Sequence, residues 1–267
     1  MSEFAAAAPG GESDKEAMPT MGFLDHLEEL RKRIVYSIMS VGVGAVACWY
    51  YREQIYGVMQ RPIMDALRAN GMPEKLVYLN PTEPFNLYLK IAALGGLFLT
   101  SPFVLYQVWM FISPGLYRNE KRYVVPFMIS TITLFTLGGY FGYRIAYPRA
   151  LNFFIDFSKQ FQPMITIGEY TSLFLSIVLG MGLIFEMPIL VFFLSLMGIM
   201  SPSFMWKNFR YAILVIFIIA AIVTPTPDIV NMCVFAAPML ALYALSIGVS
   251  WLVHPKQREA RKAKATR

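Results

Sequence analysis

Long runs of apolar residues limit most strongly how this chain can fold. Six such runs, separated by charged or proline-bearing segments, stand at 34–51, 86–112, 124–147, 170–197, 209–223 and 229–253. A helix needs about 20 mostly apolar residues to cross roughly 30 Å of hydrocarbon, because lipid offers its backbone no hydrogen-bonding partner. Since 57% of the 267 residues are hydrophobic, the chain is predicted to be an all-α, polytopic membrane protein with six transmembrane helices.

The two ends of the chain differ in composition from these runs. Residues 1–20 combine Ala, Gly, Pro and mixed charge without an apolar stretch, which is typical of disorder. Residues 254–267 are strongly basic and either fix the topology or also touch anionic lipid. We predict a disordered N-terminal tail (1–20), a membrane domain (21–253) and a basic C-terminal tail (254–267). The fifth apolar run is the shortest, so we expect it to thin the membrane locally or to pack closely on its neighbours.

The distribution of Lys and Arg predicts the orientation in the membrane. These residues cluster in alternate segments: before the first run, between the second and third, between the fourth and fifth, and in the C-terminal tail. Basic segments stay in the cytoplasm, so both termini are predicted to be cytoplasmic. On the opposite side, apolar residues recur at helical spacing over 53–69. This pattern predicts an interfacial amphipathic helix, interrupted at Pro62, within a structured cap.

The segment LDHLEELRKRI, which leads into the first run, predicts an amphipathic helix. Glu28 and Glu29 lie four residues before Lys32 and Arg33, a spacing that stabilises helices through ion pairs. From the spacing alone, a salt-bridged helix end in water and a binding surface are both open interpretations. His26, on the same segment, is interpreted as an interfacial residue.

The segment FISPGLYRNEKRYVVP contains a candidate binding residue, a single acid among basic residues. Glu120 is the only acid of this basic turn, and Phe111 lies at its start. The carboxylate either pairs locally with Lys121 or Arg122, or receives a guanidinium from another molecule. Arginine binds carboxylates through two parallel, charge-assisted hydrogen bonds, so both alternatives are chemically sound.

Two further acids stand in or beside the apolar runs. Glu186 lies among aliphatic residues in the fourth run, next to Pro188, which is expected to kink the helix. An ionisable group at membrane depth is costly, so Glu186 is expected to be protonated, to receive a hydrogen bond from a neighbouring helix, or to be functional. Asp228 follows a TPTP turn that begins at Thr224, and we interpret it as the N-cap of the sixth helix.

Four blocks together resemble one known family. They are HLEELRKR, SPFVLYQVWMFISPGLYRNEKRYVVP, FEMP and TPTPD. In this order and topology the chain resembles the TatC family, the core subunit of the twin-arginine protein translocase, from about residue 21 to 253. The resemblance implies a glove-shaped bundle in the bacterial cytoplasmic membrane. It implies recognition of twin-arginine signal peptides of folded precursor proteins, and their transport with TatA, TatB and other TatC copies by the proton-motive force.

The resemblance also implies roles for individual residues. The signal-peptide site is implied at Glu29, Arg31, Phe111, Glu120 and Arg122. Within it, Glu29 and Glu120 would receive the two arginines. Glu186 matches the family's intramembrane acid, and the outer-loop and partner-helix positions are matched by Pro62, Asp228 and Thr224. One departure is Met232, which stands where family members commonly carry a glutamine in the patch that partner helices contact.

Two other classes of protein compete with this interpretation. An intramembrane enzyme is poorly supported, because the sequence has no HExxH, GxSxG or P-loop motif and both histidines, His26 and His254, lie outside the six runs. No catalytic residue, metal, cofactor or nucleic-acid partner is therefore predicted. A proton-coupled small-solute transporter built around Glu186 and Pro188 is the alternative, although the inverted halves usual in such proteins are not visible in the sequence.

Overall fold

The fold is almost entirely helical. The computed structural model describes residues 23–112, 124–157, 164–196, 198–224 and 229–253. Within these ranges the α-helices are α1 (Phe23–Tyr50), α2 (Arg52–Ala69), α3 (Glu83–Ile112), α4 (Val124–Phe141), α5 (Tyr147–Phe157), α6 (Ile167–Phe185), α7 (Met187–Leu196), α8 (Pro202–Lys207), α9 (Phe209–Val223) and α10 (Ile229–Val253). A π-helical turn, Gly142–Ala146, joins α4 to α5.

Four helical segments in the described ranges are long and apolar enough to cross a membrane. They are Leu24–Tyr50, Glu83–Phe111, Ile167–Leu196 and Met232–Leu252. These segments correspond to the first, second, fourth and sixth predicted runs and confirm the all-α membrane architecture. The third run corresponds to α4 with the π-helical turn, and the fifth to α9, which has 15 residues. Six crossings and cytoplasmic termini stay predictions, and both tails lie outside the described residues.

Helices α1 and α3 pack through glycines. A Cβ atom added to Gly96 would lie 2.8 Å from the Cα of Ala45, and one added to Gly44 would lie 2.8 Å from the carbonyl oxygen of Gly96. Small residues allow such close approach of helix backbones in membranes. Large side chains elsewhere on α1, such as Val43 and Val46, are exposed. Helix α1 is therefore held against α3 along a narrow seam at Gly44 and Gly96.

Helix α2 continues through Pro62, so the predicted interruption at this proline is wrong. Proline has no N–H group for the carbonyl four residues earlier, which here belongs to Val58. The hydroxyl of Tyr143 donates to this Val58 carbonyl at 2.8 Å. The hydroxyl of Tyr170 donates to the next carbonyl, that of Met59, at 2.6 Å. Two tyrosines of the bundle thus satisfy the backbone around the proline and fasten α2 to it.

The predicted structured cap consists of α2, α5 and an isolated bridge. In the bridge, the N–H of Val77 donates to Ile165 at 3.0 Å, and the N–H of Ile167 donates to Val77 at 2.8 Å. At the end of α2, Arg68 donates two hydrogen bonds to Glu74, at 2.9 and 2.8 Å. These bonds hold the pKa of the Glu74 carboxyl below its usual value, so the pair weakens when the pH falls below that pKa.

The fourth predicted run consists of two helices that meet at a turn. Helices α6 and α7 join at Glu186, two residues before Pro188, whose missing N–H prevents a continuous ladder. The predicted distortion is confirmed as a single turn residue, Glu186, within the helical segment Ile167–Leu196. Further along, the hydroxyl of Ser195 on α7 is hydrogen-bonded to that of Ser250 on α10 and donates to the Met200 carbonyl at 2.8 Å. These bonds tie α7 to α10.

Candidate functional site

The start of α1 packs against the end of α3 and forms the candidate site. The imidazole of His26 stacks on the ring of Phe111, with centroids 4.4 Å apart and planes at 19°. Two turns further along α1, Nη1 of Arg33 donates to Oε1 of Gln107 at 3.0 Å. Glu29 lies between these contacts on α1. The structure therefore brings Glu29 and Phe111, both predicted from the sequence, to one end of the bundle.

The Glu29 carboxylate has one oxygen paired and one without a hydrogen-bond partner among the described residues. Nη2 of Arg33 donates to Oε1 of Glu29 at 3.1 Å. Oε2 of Glu29 is buried and has no hydrogen-bond partner among the described residues. An unsatisfied buried polar atom costs about 1–3 kcal/mol. Glu29 can therefore accept a further donor, and a guanidinium supplies one with opposite charge.

The neighbouring carboxylate, Glu28, stands in a different environment. Glu28 pairs with Lys32 at 2.9 Å, but the two side chains are 64% and 63% exposed. The side chain of Glu29 is only 18% exposed. Both predicted helix pairs are confirmed, yet water competes strongly at the exposed one. Of these two acids, Glu29 is the better receptor for an arginine.

A groove of about 430 Å³ runs along this face of α1. Its lining consists of Asp25, Glu28, Glu29, Lys32, Arg33 and Tyr36. Three carboxylates outnumber two cations, and each cation is already paired with a glutamate of its own helix. The groove is therefore complementary to a positively charged ligand.

The end of α3 is anchored by a small apolar cluster. Trp109 is buried and lies 5.0 Å, between ring centroids, from Phe193 of α7, and Leu196 of α7 joins them. Gln107, on the same stretch of α3, is also buried. Trp109 thus anchors to α7 the stretch of α3 that carries Gln107 and Phe111.

The sequence did not predict three residues as members of this site: His26, Arg33 and Gln107. The sequence interpretation treats Arg33 only as a helix pair and His26 only as an interfacial residue. A signal for Gln107 was present, because it is a single amide within the apolar stretch FVLYQVWMF. Amides in membrane helices commonly hydrogen-bond to another helix, and here the partner is Arg33.

Other predicted site residues lie elsewhere in the fold. Glu186 is half-buried at the turn between α6 and α7, and its Oε1 has no hydrogen-bond partner in the described part of the chain. Pro62 lies on α2, where it lines a second groove. Thr224 is buried at the end of α9, and its hydroxyl donates to the Ala220 carbonyl. None of these three lies on the α1 groove.

The remaining candidates have no assigned position in the site. Arg31 is exposed on α1 and does not line the groove. Glu120, Arg122 and Asp228 lie outside the described residues. Met232, near the start of α10, packs partly buried against the core. Within the described ranges, no three His, Cys, Asp or Glu side chains are placed to hold a metal ion.

Comparison with known proteins identifies the family. A family model described as Sec-independent protein translocase protein (TatC) matches residues 25–238. The TatC protein of Koribacter versatilis is 65% identical over 248 residues, which cover 93% of this chain and 92% of that protein. The TatC protein of Desulforapulum autotrophicum is 40% identical over 226 residues, or 84% of this chain and 82% of that protein.

Two crystal structures of a twin-arginine translocase receptor, TatC, share the fold. The first superposes with a TM-score of 0.72 and 34% identity, and covers 85% of this chain and 99% of the solved chain. The second, in the detergent DDM, superposes with a TM-score of 0.74 and 34% identity, and covers 84% of this chain and 99% of the solved chain. The family model and both relatives cover most of the chain, in agreement with the four sequence blocks. The chain therefore belongs to the TatC family of Sec-independent protein translocase proteins.

Proposed function

We propose that this chain is the core subunit of a twin-arginine translocase and receives the twin-arginine signal peptides of folded precursor proteins. The observation that carries the proposal is the Glu29 carboxylate. One of its oxygens is paired with Arg33, and the other is buried without a partner among the described residues. A guanidinium placed there would form a charge-assisted hydrogen bond with little competition from water.

Two consecutive arginines need two acidic partners. Glu120 is proposed as the second, because it follows the end of α3, which the contact between His26 and Phe111 holds next to α1. Arg31, Phe111 and Arg122 complete the proposed site. The solved relatives are described as twin-arginine translocase receptors, which supports this assignment.

Transport requires more than the receptor. We propose that the chain works in the bacterial cytoplasmic membrane with TatA, TatB and further copies of itself, driven by the proton-motive force, with both tails in the cytoplasm. Membership of the TatC family supports these partners. We propose Glu186 as the intramembrane acid of this process, and the partner-helix and outer-loop contacts as Thr224, Asp228 and Pro62. No catalytic activity, metal or cofactor is assigned.

Binding of a twin-arginine signal peptide to the purified full chain in detergent tests the receptor proposal. Glu29→Gln, Glu120→Gln and a peptide with both arginines changed to lysine are each expected to weaken binding more than about tenfold, or 1.4 kcal/mol. Glu28→Gln is the matched comparison, because it removes an exposed carboxylate of the same groove one residue away. It is expected to weaken binding much less than Glu29→Gln, since water competes strongly at an exposed carboxylate.

A folded wild-type chain that binds both peptides equally would contradict the receptor proposal. That result would favour the proton-coupled small-solute transporter instead. Equal losses of affinity in Glu28→Gln and Glu29→Gln would indicate a general attraction of the peptide to the acidic surface. A specific role of Glu29 would then be excluded.

A further inference from the structure

A second groove lies at the end of the bundle that α2 covers. Its apolar part, of about 390 Å³, is formed by α2, α3, α4 and α6 with side chains such as Phe98 and Phe174. It adjoins a polar part of about 560 Å³. Val58, Tyr140 and Tyr143 line both parts, so the two form one continuous groove, which we call the α2 groove.

The polar part of the α2 groove has an excess of positive charge. Arg61 of α2 and Arg144 of the π-helical turn line it together with a single acid, Asp65. Both arginines are exposed, and neither forms a salt bridge with any residue in the described ranges. Two guanidinium groups beside one groove match the oxygens of a phosphate, which arginine binds bidentately.

The chemistry of the two parts indicates the occupant. An acyl chain is apolar along its whole length and can lie in the apolar part, of about 390 Å³. The two exposed arginines beside it match an anionic headgroup. Tyr140 and Tyr143, at the junction of the two parts, are of the residue type that membrane proteins place at the level of the headgroups.

From this juxtaposition we infer that the α2 groove binds one anionic glycerophospholipid. Its phosphate is held by Arg61 and Arg144, and one acyl chain lies in the apolar part between α3, α4 and α6. The lipid comes from the leaflet on the α2 side of the bundle. This inference uses the membrane location of the chain and does not depend on the signal-peptide site.

Photocrosslinking with a labelled lipid tests the inference. The full chain is reconstituted in phosphatidylcholine vesicles that contain a phosphatidylglycerol with a diazirine on one acyl chain, and the labelled peptides are mapped by mass spectrometry. Labelling is expected to concentrate on the segments that line the α2 groove. The double variant Arg61→Gln/Arg144→Gln is expected to lower this labelling at least about fivefold, or 1 kcal/mol. Arg149→Gln, which removes an exposed arginine of α5 that does not line the groove, is expected to leave it unchanged.

A second pair of variants tests the acyl-chain part separately. Thr136 is exposed on α4 and lines the apolar part, so the ring in Thr136→Phe is expected to occupy the groove and remove the label. Thr133→Phe places the same ring on an exposed position of α4 that does not line it, and is expected to keep the label. Equal labelling of the two variants would overturn the inference. So would removal of the label by a twin-arginine signal peptide but not by unlabelled phosphatidylglycerol, because the groove would then be a peptide site.

Discussion

At the scale of single residues, Arg33 connects the proposed receptor acid to the rest of the bundle. Its guanidinium donates to Glu29 on its own helix and to Gln107 on α3. The side chains of Arg33 and Glu29 are 24% and 18% exposed, so their ion pair is screened less than a surface pair. We propose Arg33 as a positioning residue, because it holds one oxygen of Glu29 while the other has no partner among the described residues.

Arg33→Gln is expected to reduce the free energy of unfolding by about 1–3 kcal/mol, since hydrogen bonds to charged groups contribute about that much. Thermal unfolding of the chain in detergent measures the effect. Lys32→Gln is the control, because it breaks the exposed pair with Glu28, and no measurable change is expected. Equal destabilisation by both variants would show that the partial burial of Arg33 does not add to the free energy of unfolding.

At the scale of secondary structure, the apolar runs predict the helices better than they predict the breaks within them. The predicted run 86–112 is found as Glu83–Ile112, because its length and apolar composition are local properties. The prediction at Pro62 is wrong, since the hydroxyl that satisfies Val58 comes from Tyr143, 85 residues away. A local pattern cannot show that a distant side chain will repair a helix.

The seam between α1 and α3 depends on the absence of a side chain at Gly96. In Gly96→Ala, the new Cβ would lie 2.8 Å from both the Cα of Ala45 and the carbonyl carbon of Gly44. These are backbone atoms, so the helices must move apart, and we expect a loss of about 1–3 kcal/mol, as for other overpacked sites. Thermal unfolding in detergent measures this loss.

Gly42→Ala is the matched control for the seam. A Cβ on Gly42, which lies on α1, would have no atom within 4 Å, so no destabilisation is expected. If Gly96→Ala is as stable as Gly42→Ala, the close approach of α1 and α3 is not important for stability.

At the scale of the whole molecule, α1 separates two grooves of opposite charge. It has 28 residues and is therefore about 42 Å long. Its start carries the acidic groove with Glu29, and its end leads into α2, which carries Arg61 of the α2 groove. Signal-peptide binding and lipid binding are thus proposed at different ends of one rigid helix.

The sequence predicted only part of the candidate site. Glu29 and Phe111 followed from the resemblance to the TatC family, and the structure places them together. The role of Gln107 required the fold, because the residue is separated from Arg33 by 74 positions. The contrast between Glu28 and Glu29 also required it, since adjacent glutamates have the same charge and differ only in burial.

A double-mutant cycle between Glu29 and the signal peptide tests whether this carboxylate receives one of the two arginines. Each peptide arginine is changed to lysine in turn, and its affinity is measured for the wild-type chain and for Glu29→Gln. One of the two changes is expected to weaken binding to the wild type about tenfold but to have little effect on Glu29→Gln, a coupling of more than about 1 kcal/mol. If each arginine change lowers the affinity by the same factor in the wild type and in Glu29→Gln, neither arginine contacts Glu29, and Glu29 is not a receptor acid.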